Sequence, residues 1–308
     1  MIRLATRGSA LALAQARMVA DGLAAGGARV EVIAIRTEGD RRAEARLAAI
    51  AGKGLFVREI EQALLRGDAD VAVHSLKDLP AELPAGLTLP VFPEREDPRD
   101  VLVTREPCTL DELPPGAMVG TSSPRRRALL LALRPDLLVT PIRGNVDTRL
   151  TKLDAGEWAA VLLAAAGLRR LGLAPRHATP LAPDVFVPAV GQGVLAVQAR
   201  ADDAATLAAL RPLDHAPTRL SARAERAFLA RLGASCVTPM AAHARHAAGR
   251  IVMDAVVASE DGGRVLRERA EGPAAEPEAL GRDVADALLA RGAAAVVALR
   301  PAEVGGGR

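Results

Sequence analysis

Residues 2–35 read IRLATRGSALALAQARMVADGLAAGGARVEVIAI, and this stretch sets the fold class. Ile2 to Ala5 has the short apolar pattern of a strand, and Ala10 to Ala24 has the length and apolar content of a helix. Ser9 stands directly before that helix, where a serine oxygen accepts a hydrogen bond from a free backbone N–H. Val30 to Ile35 is a second strand. A helix between two strands predicts parallel pairing and therefore an α/β domain.

The same alternation of strands and helices continues along the chain. Leu55 to Leu65 has helical spacing and ends before Gly67, and Ala69 to Val73 is a short buried strand. After the charged, proline-containing segment 93–100, the alternation restarts and predicts a second α/β domain. Its predicted strands are Val101 to Thr104, Ala117 to Gly120, Leu137 to Ile142 and Ala159 to Leu163, and its predicted helices are Pro124 to Leu133, Val146 to Leu153 and Ala165 to Leu171. Residues 187–193 form a second linker-like stretch.

The last hundred residues have a different pattern. Ala216 to Leu232 is a strong amphipathic helix, and Glu276 to Arg291 is another. The predicted strands between them are Met240 to His243, Ile251 to Ala258 and Arg264 to Ala270. The turn Asp261-Gly262-Gly263 joins two of these strands. Successive strands joined by a tight turn predict an antiparallel α+β domain.

The composition excludes several classes of protein. With one Trp, four Phe and no Tyr, the chain lacks the aromatic platforms on which single-stranded nucleic acid stacks. The 40 basic and 37 acidic residues leave a net charge of +3, which is too even a balance for a polyanion partner. Two cysteines, Cys108 and Cys236, are too few for a disulfide framework, a Cys-rich zinc site or an iron–sulfur cluster.

Neither a signal peptide nor a membrane span is predicted. Arg7 interrupts the first apolar run, and the longest uncharged apolar run, Trp158 to Leu168, is shorter than the ~20 residues that a span needs. We therefore expect a cytoplasmic protein with reduced thiols and no membrane partner.

Positive charge is concentrated where the predicted folds place ligands. Residues 121–150 carry six arginines against Asp136 and Asp147. Four polar loops follow predicted strands, at the edge where α/β folds bind ligands. These loops are residues 6–9, 74–78, 120–127 and 142–149. Each arginine alone suits a solvated surface, but four such loops with interleaved hydroxyls favour a site for several carboxylates or phosphates.

The few lysines of the chain help to select candidate residues of this anion site. The chain has only three, Lys53, Lys77 and Lys152, so each marks a place where a compact ammonium is required or where chance has left one. Asp78 follows Lys77 directly, and a carboxylate among cations stays ionised and stabilises a developing cation. The simpler interpretation of Asp78 is a capping residue before Leu79-Pro80.

Other candidate residues carry weaker signals. Cys236 lies in a loop after the long helix, where it is either an inert small residue or a site of covalent chemistry. Gly52-Lys53-Gly54 lacks the flanking residues of a phosphate loop. His243 and His246 are three apart without an acidic neighbour in the segment, and we expect no metal site.

Short motifs of this chain match those of one known protein family, in the same order and along nearly the whole sequence. They lie at residues 3–9, 52–56, 73–80, 94–100, 120–126, 143–150, 166–173 and 188–193. Three of them read VHSLKDLP at 73–80, EREDPRD at 94–100 and PAVGQG at 188–193. Together they resemble the porphobilinogen deaminase family, also called the hydroxymethylbilane synthases.

The resemblance implies an enzyme that joins four porphobilinogen molecules into the linear tetrapyrrole hydroxymethylbilane and releases ammonia at each step. It implies a dipyrromethane cofactor attached to Cys236 by a thioether, although Ala234 and Ser235 replace two glycines usual in the family. Asp78 would be catalytic, holding pyrrole N–H groups, stabilising an azafulvenium cation and helping proton transfer. The resemblance assigns cofactor binding to Lys77, Thr121, Ser123, Arg125, Arg126 and Arg170, and substrate binding to Arg7, Ser9, Lys53, Arg143 and Arg149.

The resemblance also implies two periplasmic-binding-protein-like α/β domains and a smaller C-terminal α+β domain. The expected ranges are 1–93 with 193–212, then 99–190, and 216–304 for the domain that carries the cofactor cysteine. We expect a monomer whose partner is porphobilinogen, without nucleic acid or metal. The alternative is a non-catalytic cytoplasmic anion-binding protein or ligand sensor with two hinged lobes. That alternative gives Asp78 and Cys236 no role.

Overall fold

The computed structural model describes residues 1–35, 57–175, 177–233 and 238–297. The strands are β1 (Ile2–Arg7), β2 (Val30–Ile35), β3 (Val71–Ser75), β4 (Leu87–Val91), β5 (Asp100–Thr104), β6 (Met118–Gly120), β7 (Leu138–Thr140), β8 (Ala160–Ala164), β9 (His177–Pro180), β10 (Leu195–Arg200), β11 (Met240–Ala247), β12 (Arg250–Ala258) and β13 (Val265–Pro273). The helices are α1 (Ala10–Ala25), α2 (Arg58–Arg66), α3 (Pro124–Leu133), α4 (Val146–Asp154), α5 (Ala165–Arg170), α6 (Ala204–Leu210), α7 (Ala216–Leu232), α8 (Pro277–Ala290) and α9 (Ala293–Val296). Short 3-10 turns cover Leu76–Asp78 and Arg211–Leu213.

The first sheet has the strand order β2-β1-β3-β10-β4. The predicted parallel pairing is present between β1 and β2 and between β1 and β3. The sheet as a whole is mixed, because β10 runs antiparallel to both β3 and β4. Ser9 caps α1 as predicted, since its Oγ accepts from the Ala12 N–H at 3.3 Å.

The second sheet repeats this topology with the order β7-β6-β8-β5-β9. Its inserted strand, β5, is antiparallel to β8, just as β10 is antiparallel to β3 in the first sheet. Two sheets with one shared order confirm the predicted pair of periplasmic-binding-protein-like α/β units. Repeating the order also places the carboxyl ends of β1, β3, β6 and β8 at equivalent edges, where ligands bind in such folds.

The third sheet is antiparallel, with the order β11-β12-β13, and it confirms the predicted C-terminal α+β unit. One set of its side chains packs on α7 and α8, around Phe228 and Val284. The opposite set, including Ala241 and Val256, shares an apolar core with the second α/β unit. Gly262 in the β12–β13 turn has a φ of +73°, and a Cβ there would lie 2.7 Å from the Ala128 carbonyl oxygen. A larger residue at this turn would push the third sheet away from α3.

Two chain crossings join the first and second α/β units, and they lie side by side. Glu96 donates its backbone N–H to the Gly193 oxygen at 3.1 Å, and Arg95 donates from Nε to the Gln192 oxygen at 2.9 Å. Arg95 also pairs with the fully buried Glu225 of α7 at 2.6 Å. Glu225 in turn accepts from the Gly191 N–H, so this one carboxylate links both crossings to the third unit.

Most predicted elements are confirmed, with ends shifted by a few residues. Helices α3 and α7 have the predicted bounds, and the predicted helix at 55–65 begins at Arg58, although residues 55 and 56 lie outside the described residues. Strand β11 extends to Ala247 because its polar end pairs with β12 in a hairpin ladder. Besides the two 3-10 turns, five elements are not predicted from the sequence: β4, β9, β10, α6 and α9. Among the described residues, no helix has both the length and the apolar character to cross a membrane.

Candidate functional site

Two cavities open at the carboxyl ends of the first sheet's strands. The smaller one, of about 60 Å³, is lined by Arg7, Ser9, Gln15, His74 and Asp78, among others. The larger one, of about 890 Å³, lies between the three units. Its polar lining includes Lys77, Asp78, Ser122, Ser123, Arg125, Arg126 and Gln192. Asp78 lines both cavities and therefore stands at their junction.

Asp78 is held by the backbone turn rather than by its own side chain. The turn Leu76–Asp78 follows β3, and the buried side chains of Leu76 and Leu79 anchor it on either side. Gly191 has a φ of +71° and packs so closely that a Cβ there would lie 2.7 Å from Leu76 Cγ. The Asp78 side chain is exposed and makes no hydrogen bond or ion pair with any described residue. Its carboxylate is consequently available to a ligand.

Lys77 lies between two carboxylates and two guanidinium groups. Its Nζ is 3.4 Å from the Gln192 Oε1, which accepts a weak hydrogen bond. Burial and then the Arg126 charge lower the pKa of Lys77 to about 8, although Asp78 and Asp100 act in the opposite direction. Lys77 is therefore charged near neutral pH and loses its proton in mildly alkaline solution.

Arg125 and Arg126, both predicted to bind the cofactor, converge on one carboxylate that the sequence analysis did not identify. Asp100, at the start of β5, has no exposed surface. It accepts from Arg125 Nη1 at 2.7 Å and from Arg126 Nε at 2.8 Å, and from the Gln192 amide at 3.2 Å. Burial alone would raise the pKa of Asp100, but the two arginine charges outweigh it and hold that pKa well below its usual range. Two cations and one anion leave a net positive charge beside the larger cavity.

Arg125 keeps an unused donor in spite of these contacts. Its Nε is buried and has no hydrogen-bond partner in the part of the chain that the structure describes. A buried donor without a partner is costly, so a site of this kind favours an acceptor supplied from outside the protein. Carboxylates of a pyrrole ligand are acceptors of the required kind.

The hydroxyl residues of the 120–127 loop shape the start of α3. Ser123 Oγ accepts from the Arg126 N–H at 3.4 Å and caps the helix, while Pro124 occupies the first turn. Thr121 is buried, and its Oγ1 accepts from the Ser123 N–H at 3.2 Å. Of these two predicted cofactor ligands, Ser123 lines the larger cavity, whereas Thr121 orders the loop behind it.

Three predicted arginines line neither cavity. Arg170 donates from Nη2 to the Gly193 oxygen at 2.7 Å, and burial lowers its pKa to about 10. Arg149 donates from Nε to the Gly144 oxygen at 2.9 Å, and burial, then the nearby Arg126 charge, lowers its pKa. Arg143 is exposed, and its side chain has no hydrogen bond or ion pair within the described ranges. The structure therefore places Arg149 near Arg126 but does not bring Arg143 into contact with the cavities.

The smaller cavity holds two residues that the sequence analysis did not select. Gln15 on α1 donates from Nε2 to Ser75 Oγ at 2.9 Å, and His74 at the end of β3 is buried. Both follow from position: His74 opens a polar loop after a strand, and Gln15 is the one polar residue on the buried face of α1. They complete a pocket with the predicted Arg7 and Ser9.

Two predicted site residues, Lys53 and Cys236, lie outside the described residues. Gly233 and Thr238, which flank the segment containing Cys236, both line the larger cavity. A group attached near this segment would have the cations Lys77, Arg125 and Arg126 along the cavity wall. The residues present therefore fit a ligand that carries several carboxylates.

His243 and His246, the histidine pair noted in the sequence, both lie on β11. In the described part of the chain, no group of three or more His, Cys, Asp and Glu residues could hold a metal ion. His243 is buried, and burial lowers its pKa to about 2. Asp254 lies opposite it in the ladder, but Asp254 pairs with Arg245 at 2.8 Å.

Comparisons with known proteins give a consistent family. The family described as "Porphobilinogen deaminase, dipyromethane cofactor binding domain" matches residues 2–208, and "Porphobilinogen deaminase, C-terminal domain" matches residues 219–290. A curated protein named "Porphobilinogen deaminase" from Desulforudis audaxviator is 53% identical over 297 residues, covering 95% of this chain and 96% of that protein. One of the same name from Thiobacillus denitrificans is 48% identical over 303 residues, covering 98% and 99%.

Solved structures with a similar fold are more distant. The methionine binding protein MetQ has a TM-score of 0.43 and 14% identity, covering 75% of this chain and 93% of that one. A periplasmic substrate-binding protein of an ABC transporter from Coxiella burnetii has a TM-score of 0.42 and 18% identity, covering 73% and 97%.

Proposed function

The chain belongs to the porphobilinogen deaminase family, and from that premise we propose that it condenses four porphobilinogen molecules into hydroxymethylbilane with release of ammonia. This is a transferase reaction of porphyrin and tetrapyrrole biosynthesis. The observation that carries the proposal is the Asp78 carboxylate, which stands at the junction of two cavities beside a cluster of cations.

Asp78 acts on the charge that develops during the reaction. When the C–N bond of porphobilinogen breaks, the electron pair leaves with the nitrogen as ammonia and the pyrrole becomes an azafulvenium cation. A carboxylate fixed by the turn Leu76–Asp78 stabilises this cation without having to reorganise. The same carboxylate accepts hydrogen bonds from pyrrole N–H groups and assists proton transfer. Asp78 is the catalytic residue of this proposal.

The cofactor side of the site is the larger cavity. Cys236 would hold the dipyrromethane through a thioether, and Lys77, Ser123, Arg125 and Arg126, which line this cavity, would bind its carboxylates. We assign Thr121 and Arg170 to the same cofactor, although neither lines a cavity. When bound, the dipyrromethane supplies the free pyrrole carbon to which the first substrate is joined. Arg125 Nε, buried without a partner among the described residues, and the charged Lys77 support this assignment. Arginine forks hold carboxylates in a fixed orientation, which keeps the reacting groups in register.

The substrate side includes the smaller cavity. Arg7 and Ser9 line it, and with Lys53, Arg143 and Arg149 they bind the acetate and propionate groups of porphobilinogen and of the growing chain. Asp78 lies between this pocket and the larger cavity, so one carboxylate reaches both reacting rings.

The organisation of the chain suits a site that must accommodate a growing product. We assign residues 1–93 with 193–212, residues 99–190 and residues 216–304 to three domains, and we propose that the chain works as a cytoplasmic monomer. The paired crossings near Arg95 and Gln192 are the hinge between the first two domains.

The test is the reaction itself. Purified protein in a thiol reductant is incubated with porphobilinogen, and ammonia release and product are measured, with intact mass recorded beforehand. We expect ammonia and a linear tetrapyrrole that cyclises without an enzyme to the symmetric uroporphyrinogen isomer. We also expect the added mass of two linked pyrroles on the protein. Intact porphobilinogen together with unmodified protein would favour the alternative, a non-catalytic anion-binding protein.

A further inference from the structure

A line of three buried polar side chains crosses the first sheet. His74 on β3 and Gln198 on β10 lie on the same face, and Glu61 on α2 packs over them. The His74 Nε2 is 3.0 Å from the Gln198 Oε1, and the Gln198 Nε2 donates to the Glu61 Oε1 at 3.0 Å. Gln198 has no exposed surface, and the other two side chains are buried. This line leads from the larger cavity, which Glu61 lines, to the smaller one, which His74 lines.

The direction of the hydrogen bonds fixes the tautomer of His74. Burial raises the pKa of Glu61, and the hydrogen bond from Gln198 opposes this shift. In its ionised form Glu61 can only accept, so it takes the NH₂ group of Gln198 and leaves the amide oxygen for His74. An oxygen facing Nε2 requires a proton on that nitrogen. In a neutral imidazole the lone pair then belongs to Nδ1. Glu61 thereby determines, through the Gln198 amide, which nitrogen of the His74 ring carries the proton.

The second nitrogen of His74 has no partner. Nδ1 makes no hydrogen bond with any residue that the structure describes. The ring shares its pocket with Arg7, Ser9 and Asp78, and Arg7 lies near it on the neighbouring strand. Burial and then the Arg7 charge lower the pKa of His74 to about 4, although the bond to Gln198 opposes this shift. The ring is neutral near pH 7, so Nδ1 is an acceptor.

We propose that His74 is a substrate-binding residue whose Nδ1 accepts a hydrogen bond from the ammonium group of the porphobilinogen aminomethyl arm. This inference rests on the proposed function. Arg7 cannot accept a hydrogen bond, and Ser9 Oγ already accepts from the helix α1 backbone. Gln15 and Ser75, which also line the pocket, use their oxygens on each other. Asp78 is engaged by the pyrrole N–H groups.

No proton passes to His74 in this arrangement. The C–N bond breaks, its electron pair stays on nitrogen, and the three N–H bonds leave together as ammonia. The neutral imidazole orients the departing group and keeps it away from the Asp78 carboxylate. An ammonium ion paired with Asp78 would neutralise the charge that the pyrrole cation requires.

Two substitutions separate binding from packing. In His74→Asn the Oδ1 can replace the Nδ1 acceptor but the bond to Gln198 is lost, whereas His74→Gln keeps the reach to Gln198 and loses the acceptor. With cofactor loading verified by mass, we expect His74→Gln to lower kcat/KM for ammonia release by about tenfold to a hundredfold, the range for one hydrogen bond to a charged group. We expect His74→Asn to retain more activity than His74→Gln despite a lower Tm.

The opposite ranking, with His74→Gln near the parent and His74→Asn impaired, would show that His74 only packs the core and would overturn the inference. Parent protein that leaves porphobilinogen intact would instead refute the proposed function. Nitrogen-15 NMR of histidine-labelled parent protein tests the tautomer separately. The chain has five histidines, and the spectrum of His74→Gln identifies the missing ring. We expect a protonated Nε2 and an unprotonated Nδ1, and a protonated Nδ1 would contradict the proposal.

Discussion

Two aspartates flank Lys77, and they have opposite surroundings. Asp100 is fully buried and accepts from two arginines and a glutamine, whereas Asp78 is exposed and has no partner among the described residues. Both act on the Lys77 charge, so they belong to one electrostatic site. The carboxylate with saturated hydrogen bonds positions protein cations, and the carboxylate left open is available to substrate.

The arginines show the same contrast between side chains held by protein contacts and side chains left open to a ligand. Arg125 and Arg126 use most of their donors on Asp100 and on backbone oxygens, so their orientation is fixed before any ligand binds. Arg143 is exposed and has no side-chain partner in the described part of the chain. Preorganised cations cost little reorganisation on binding, whereas an exposed arginine loses rotamer freedom when it engages a carboxylate. We therefore expect substitutions on the two sides to change different properties.

The contrast between Asp78 and Asp100 matters for catalysis only when the cofactor is bound. The largest expected effect is therefore loss of the cofactor. Cys236→Ser should lack the mass of the dipyrromethane and should have no measurable turnover, because the thioether requires sulfur. Cys108→Ser is the matched control, since Cys108 is half-buried and its Sγ only donates to the Thr109 oxygen. Intact mass and porphobilinogen consumption check both variants. A dipyrromethane retained in Cys236→Ser would assign the attachment elsewhere.

Asp100→Asn should chiefly destabilise the fold. Removing the charge leaves Arg125 and Arg126 buried without a counter-ion, and breaking a buried pair of this kind costs about 3–5 kcal/mol. Urea unfolding monitored by circular dichroism measures the loss. Asp136→Asn serves as control, because it removes an exposed pair with Arg134 and should change stability far less. Equal unfolding midpoints for both variants would show that Asp100 does not stabilise the fold as a buried counter-ion.

Much of the fold could be predicted because its signals are local. Helix α7 has amphipathic spacing, a proline in its first turn and Gly233 in the left-handed conformation at its end, and its predicted bounds are confirmed. Strand β10 has no comparable signal. It forms because it pairs with β3 and β4 from far earlier in the chain, and no local pattern encodes that contact. The antiparallel direction of β5 and β10 is not predicted for the same reason, although β5 itself is predicted as a strand.

The residues of the site also fall into two groups, those that the local sequence predicts and those that depend on distant parts of the chain. Asp78 and Lys77 could be selected from the sequence because they follow a buried strand in a polar loop. The environment of Asp100 could not, because its partners arrive from α3 and from Gln192 in the second crossing. A run of arginines that requires a buried counter-ion was the available signal, but several acidic residues of the 94–100 segment could have met it. The cofactor and substrate roles of the individual side chains stay predictions.

Arg143→Leu should impair catalysis and leave stability unchanged. An exposed guanidinium without a partner in the described residues stabilises the fold little, whereas a forked contact with a substrate carboxylate holds the reacting ring in place. We expect kcat/KM to fall by about tenfold, equivalent to one charged contact, at an unchanged Tm. Arg66→Leu is the surface control, since Arg66 pairs only with exposed Asp68. If both variants turn over like the parent, Arg143 is surface charge only.

The smallest expected effect is the pH dependence that Lys77 gives to cofactor loading. The pKa of Lys77 is lowered to about 8, so its positive charge is largely present at pH 7 and largely lost at pH 9. Cofactor-free protein should therefore load porphobilinogen-derived cofactor about three- to tenfold more slowly at pH 9 than at pH 7. Lys77→Arg remains charged throughout and should flatten this dependence. A Lys77→Arg profile that follows the parent would assign the pH effect to another group.

The central claim, that the open carboxylate performs the chemistry, is tested most directly by single-turnover elongation with Asp78→Asn. The variant is first loaded with cofactor and checked by mass, and Asp78→Glu is run in parallel. We expect condensation in Asp78→Asn to be at least about a hundredfold slower, with unchanged thermal unfolding, because the shape is kept and only the charge is removed. Asp78→Glu, which keeps the charge but displaces it by one methylene, should retain more activity. Elongation by loaded Asp78→Asn at close to the parent rate would show that Asp78 is a structural turn residue and would contradict the account.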